Sequence, residues 1–87
     1  MLGALLQAQV SVRLEMERLV EVQPLDRAAL QRLRGAAHDL ADQADTLLLK
    51  LVTQDAPGPL VMAVEEIFDA FRDAERQIED VTRRRRR

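Results

Sequence analysis

His38 is the only histidine in the sequence, and charged residues flank it at helical spacing. Arg34 lies four residues before it and Asp42 four residues after it, with Asp45 further along, so a helix would place them on one stripe. A histidine in such a stripe could accept a phosphoryl group in a phosphorelay, or it could belong to a solvated ladder of ion pairs. Nothing after His38 indicates a docking site for a phosphorelay partner, so the sequence favours the ladder.

The carboxylates Glu66, Asp69 and Asp73 could be suspected of binding a metal, since they lie on one side of a helix. Helical di-metal sites also need inward-facing Glu-x-x-His pairs on other helices, and the sequence contains none. The chain has no cysteine and no glycine-rich phosphate loop. The sequence therefore predicts a solvated acidic face, no metal or other cofactor, no catalytic residue and no enzyme.

The elements that position these residues are predicted to be helices. Apolar residues make up 47% of the 87-residue chain, aromatic residues only 2%, and helix-forming Leu, Ala and Arg dominate. Helix breakers occur at Pro24 and at Pro57-Gly58-Pro59, and we expect the second group not to lie inside a helix. The positions of these breakers predict an all-α fold with helices at 2–22, 26–54 and 59–83, in one domain over residues 1–82.

The second and third predicted helices carry apolar residues at alternating spacings of three and four, which is typical of coiled-coil-like heptad packing. We call each such line a seam. The two seams consist of Leu30, Leu33, Ala37, Leu40, Ala44, Leu47 and Leu51, and of Leu60, Val64, Ile67, Phe71, Ala74, Ile78 and Val81. Because the heptad register breaks between Asp55 and Pro59, these helices should form an antiparallel hairpin.

Two arrangements are open for the first helix. Its seam (Leu2, Leu5, Val12, Met16 and Leu19) continues in register into the second helix, so one long helix kinked at Pro24 is an alternative. A turn is favoured because Pro inside a helix costs about 3 kcal/mol. Asp26 also fits an N-cap, with Leu25 and Leu30 as a hydrophobic staple. The sequence thus favours an up-down-up three-helix bundle.

Several large apolar residues lie off these seams, and an up-down-up bundle would bring many of them to one end of the molecule. A helix that is apolar on every side is normally buried on every side, which a single 87-residue chain cannot achieve there. The sequence therefore predicts a protein–protein interaction or assembly module, binding a partner or a second copy. The predicted partner-binding residues are Leu5, Leu6, Leu48, Leu49, Val52, Val61 and Met62.

Charge is distributed unevenly along the chain. All 15 acidic residues precede residue 83, whereas five of the 13 basic residues form the terminal run Arg83, Arg84, Arg85, Arg86 and Arg87. This predicted tail could bind phosphates of a nucleic acid or an acidic protein patch, or simply be a solvated helix end. No apolar run is long enough to span a membrane. The apolar N-terminus lacks the basic region of a signal peptide, so we expect a cytoplasmic protein.

Overall fold

A computed structural model describes residues 2–21 and 26–84, and these form three helices. Helix α1 spans Leu2–Glu21, α2 spans Arg27–Thr53 and α3 spans Gly58–Arg84. At one end of the molecule Leu19 shares a core cluster with Leu30 and Ile78. At the other end, Leu5 of α1 and Leu47 of α2 line the same groove. Helix α1 therefore packs back along the hairpin in the up-down-up arrangement, and the long kinked helix is wrong.

The predicted seams form the core. Helix α2 contributes mainly small buried side chains, including Ala37 and Ala44, while α3 contributes large ones such as Phe71 and Ile78. Small residues on one helix let the large residues of the other approach its backbone, which is how facing positions fill space without voids. Ala41 is also buried, although it lies off the predicted seam. Helix α1 adds the buried residues Leu5, Val12 and Leu19.

Helix α2 begins at the predicted N-cap. The Asp26 backbone is extended, and its Oδ1 accepts a hydrogen bond from the Ala29 N–H at 3.0 Å. This bond satisfies one of the donors that a helix start leaves unpaired. Leu30 of the predicted staple is fully buried, whereas Leu25 lies outside the described residues.

The turn between α2 and α3 is a Schellman motif. The Ala56 N–H donates to the Leu51 carbonyl at 2.9 Å, and the Asp55 N–H donates to the Val52 carbonyl at 3.2 Å. Asp55 adopts the left-handed conformation, with φ of 58°, which glycine usually supplies at this position. The motif caps α2 and reverses the chain in four residues.

Gly58 and Pro59 are the first two residues of α3, so this helix begins one residue before its predicted start at 59. The first turn of a helix needs no bonded N–H from its early residues, so proline is tolerated there. The Pro57 carbonyl accepts from the Leu60 N–H at 3.0 Å.

The other end of α3 also extends past its predicted limit. Arg83 and Arg84 are helical and exposed, so α3 ends one residue beyond its predicted end at 83. Cations suit a helix C-terminus because the helix dipole is negative there. Arg85, Arg86 and Arg87 lie outside the described residues.

Candidate interaction surfaces

Several large apolar side chains are exposed on this small bundle, and they fall into two groups. The three on α1 are Leu6 (48% exposed), Val10 (58%) and Leu14 (60%). The three near the α2–α3 turn are Leu49 (69%), Val52 (59%) and Met62 (62%). Exposed leucines are common singly, but clusters of them at helical spacing mark interaction sites.

Leu5 does not belong to the exposed surface, contrary to its place among the predicted partner-binding residues. It is only 3% exposed and lies in the same core cluster as Val12. Successive helical residues are 100° apart, so Leu6 is turned away from the core that Leu5 enters. Leu6 belongs instead with Val10 and Leu14, and we call these three residues the α1 outer stripe.

The remaining predicted residues surround the turn end of the hairpin, and we call them the hairpin-end patch: Leu48, Leu49, Val52, Val61 and Met62. Leu48 and Val61 are half-buried, and the other three are exposed. Leu49 is nine residues from Leu40, and Met62 is nine residues from Phe71. Nine residues make two and a half helical turns, so each of the two side chains lies on the opposite side of its helix from that seam residue. The patch therefore wraps around the hairpin end, and its most exposed members do not hold the hairpin together.

Polar contacts between α2 and α3 show how the two helices align. Arg34 pairs with Glu79, and His38 Nδ1 lies 3.4 Å from Glu75 Oε2. Val52 is 18 residues, or five turns, beyond Arg34, and Val61 is five turns before Glu79. The same register therefore sets Val52 against Val61 on this face of the hairpin. One hairpin face thus carries ion pairs near the start of α2 and apolar residues near the turn.

His38 is a rung of the predicted ion-pair ladder. Its Nε2 lies 3.7 Å from Asp42 Oδ2, so both ring nitrogens face carboxylates. Negative charge beside both nitrogens disfavours the approach of a phosphoryl group. Buried atoms Arg34 Nε and Glu75 Oε1 have no hydrogen-bond partner among the described residues, which offsets part of the gain from pairing.

These cross-helix pairs were missed by the sequence reasoning, which placed the ladder on α2 alone. A signal was present, because basic residues of α2 and acidic residues of α3 both lie beside their seams. In antiparallel hairpins such flanking positions face each other. Aligning the two seams about the turn places Arg34 level with Gln77, between Glu75 and Glu79, and so would have indicated an acidic partner on α3 without selecting which one.

The acidic residues of α3 that could be suspected of binding a metal face the solvent. Glu66, Asp69 and Asp73 are exposed, and Asp73 accepts a 2.7 Å hydrogen bond from Gln77. Within residues 2–21 and 26–84, no group of three or more His, Cys, Asp or Glu side chains is placed to hold a metal ion.

A groove of about 350 Å³ lies between α1 and α2. Its charged residues, Asp42 and Lys50, are eight residues apart on α2, or about 12 Å along the axis. That separation is too large for both groups to act on one reacting atom. The groove therefore offers an apolar depression and no paired acid and base.

No protein-family model matches the chain, and no significant match occurs among curated proteins or solved structures. In the part of the chain that the structure describes, no helix is both long enough and apolar enough to cross a bilayer.

Proposed function

We propose that this protein is a non-enzymatic helical interaction module that binds a partner protein through the hairpin-end patch. The observation that carries the proposal is the exposure of Leu49, Val52 and Met62 at one end of the bundle. Burying a Leu or Met side chain stabilises a complex by about 1.5–3 kcal/mol. A partner with a matching apolar surface, such as the open face of another helical hairpin, would gain that stabilisation.

The position of the patch supports this role. Its exposed members lie off the seams, so a partner can cover them without disturbing the core. The core is filled by other side chains, and Phe71, Leu30 and Val64 are among the largest that are fully buried. A binding surface supported by a packed hairpin is largely preformed, which reduces the entropy lost on association.

The test is the double substitution Leu49→Glu/Met62→Glu. It should leave the helical circular dichroism spectrum unchanged and weaken partner binding by several kcal/mol, because two charges would be buried without counterions. The measurement is quantitative affinity purification from native cells, followed by titration calorimetry with the recovered protein. Normal partner binding by the double variant would overturn the proposal.

Two controls make the test specific. Gln31→Glu/Gln43→Glu adds the same charge at exposed polar positions of α2 away from the turn, and it should leave partner binding intact. Leu40→Glu places a charge on the seam and should unfold the hairpin. If Leu49→Glu/Met62→Glu loses helicity as Leu40→Glu does, the patch belongs to the core.

A second candidate function is nucleic-acid binding through Arg83–Arg87. The observation that favours it is the run of five arginines, of which the two described members are exposed at the end of α3. Binding would be independent of base sequence, with a log–log salt slope of roughly −4 to −5 if every arginine contacts a phosphate. Deleting residues 83–87 should abolish it. Full affinity after that deletion would exclude the tail.

A further inference from the structure

Helix α1 has two apolar faces, and the residues that the structure describes cover only one of them. Val12 is buried at 6% exposure, while Val10, only two residues earlier, is 58% exposed. Two residues correspond to 200° around a helix, so Val10 points away from the bundle. Leu6 and Leu14 lie one turn on either side of Val10, which gives the α1 outer stripe a length of two turns.

Helix α1 is uncharged around Leu6 and Val10, and its charged residues begin beside Leu14. Residues 2–12 contain no acidic or basic side chain, and the first charged residue of α1 is Arg13. Residues 1–82 as a whole carry 15 acidic and eight basic side chains, so charged residues of both signs are spread over the rest of the sequence. The first half of α1 is a place where two such copies can meet without setting like charges against each other.

We infer that the α1 outer stripe is the contact between two copies of this chain, with the two α1 helices antiparallel about a two-fold axis at Val10. Leu6 then faces Leu14 of the second copy, so each copy presents the same apolar patch, as a two-fold contact requires. Dimerisation here goes beyond the proposed partner binding, since it uses a different surface.

Charge selects the antiparallel orientation. Glu17 is exposed at the end of the stripe, where it pairs with Arg13 at 3.9 Å. In the antiparallel dimer it lies beside the N-terminus of the other α1, which is the positive end of the helix dipole. A parallel dimer would instead bring together two glutamates and two negative helix ends.

The size of the contact indicates a weak dimer. A 20-residue helix is about 30 Å long, and the stripe occupies only two turns of it. Such a contact buries less than the roughly 1,200 Å² of the smallest stable standard interfaces. The dimer should therefore dissociate on dilution, with a dissociation constant of roughly micromolar order or weaker.

Cysteine cross-linking of the full chain tests both the contact and its orientation, because the sequence contains no cysteine. Val10→Cys should form a disulfide dimer readily, since the two residues meet on the axis. Leu6→Cys and Leu14→Cys should each cross-link poorly alone, because each lies about 12 Å along the axis from its own copy, but an equimolar mixture should cross-link. Ser11→Cys, which is exposed beside the stripe, is the control for random collisions.

Sedimentation equilibrium over a dilution series supplies an independent measurement. Val10→Glu should weaken the dimer at least about tenfold, because two carboxylates would meet on the axis. Leu49→Glu/Met62→Glu should leave the dimer unchanged, so loss of partner binding and loss of dimerisation are separable. A wild-type chain that is monomeric throughout and binds neutral lipid vesicles through the stripe would overturn the inference. Leu6→Cys cross-linking to itself as readily as Val10→Cys would overturn the antiparallel arrangement.

Discussion

Helix α1 and the α2–α3 hairpin both bury an apolar seam, but they differ in the residues on their outer faces. The hairpin covers much of its outer surface with charged residues, including the ladder from Arg34 to Glu79 and the acidic residues of α3. Helix α1 presents the apolar outer stripe instead. The hairpin therefore concentrates exposed apolar side chains near its turn, in the hairpin-end patch, whereas α1 exposes them in a stripe along its first half. Apolar residues that lie away from a seam can thus indicate a contact outside the bundle.

The largest effect should come from the centre of the hairpin. Phe71 is 1% exposed, and Phe71→Ala should lower the free energy of unfolding by about 3–5 kcal/mol through lost burial and a cavity. Chemical denaturation followed by circular dichroism measures this loss. Hydrogen exchange should accelerate in all three helices, because α1 docks on the same core. A loss below about 1 kcal/mol would contradict the central role assigned to the hairpin.

The neighbouring leucines of α1 provide a matched pair. Leu5→Ala removes a buried side chain and should cost about 2–3 kcal/mol, whereas Leu6→Ala removes an exposed one and should change monomer stability by less than about 0.5 kcal/mol. Native-state hydrogen exchange should show the Leu5→Ala effect mainly in α1, which adds few residues to the core. Equal losses for the two variants, measured at dilutions that favour the monomer, would remove the distinction between the faces.

The start of α2 should show a smaller effect. Asp26→Ala removes the side-chain acceptor for the Ala29 N–H and should cost about 1 kcal/mol. Asp39→Ala is the control, because Asp39 is exposed within α2 and should give a change within about 0.5 kcal/mol. Thermal unfolding of the two variants separates the cap from a general effect of removing a carboxylate.

The smallest expected effect is a pH dependence within α1. Arg18 donates side-chain hydrogen bonds to Glu15, and this pairing lowers the pKa of Glu15 below its ordinary value. A lowered pKa in the folded state stabilises the fold above the ordinary pKa, and the contribution disappears as pH falls through the lowered value. Both side chains are substantially exposed, so the effect is small. Glu15→Gln should be slightly less stable than wild type at neutral pH and should match it in strong acid; an equal deficit at both pH values would contradict the pairing.

Most of the fold follows from local rules that the sequence displays. The seams repeat at helical period, Asp26 has the chemistry of an N-cap, and prolines mark both junctions. These features act over a few residues, so helix type and approximate bounds could be derived without tertiary information. The same periodicity correctly assigned Leu49 and Met62 to exposed positions, because both lie on the side of their helix opposite the seam.

The tertiary structure alone decided which off-seam apolar residues belong together. The sequence grouped Leu5 with Leu6, but packing buries Leu5 between α1 and the hairpin and leaves Leu6 exposed. It also decided that Arg34 and His38 pair with glutamates of α3. Spacing along one chain determines the face of a helix on which a residue lies. Only the rotation and axial alignment of packed helices determine what meets that face, because they depend on contacts between residues far apart in sequence.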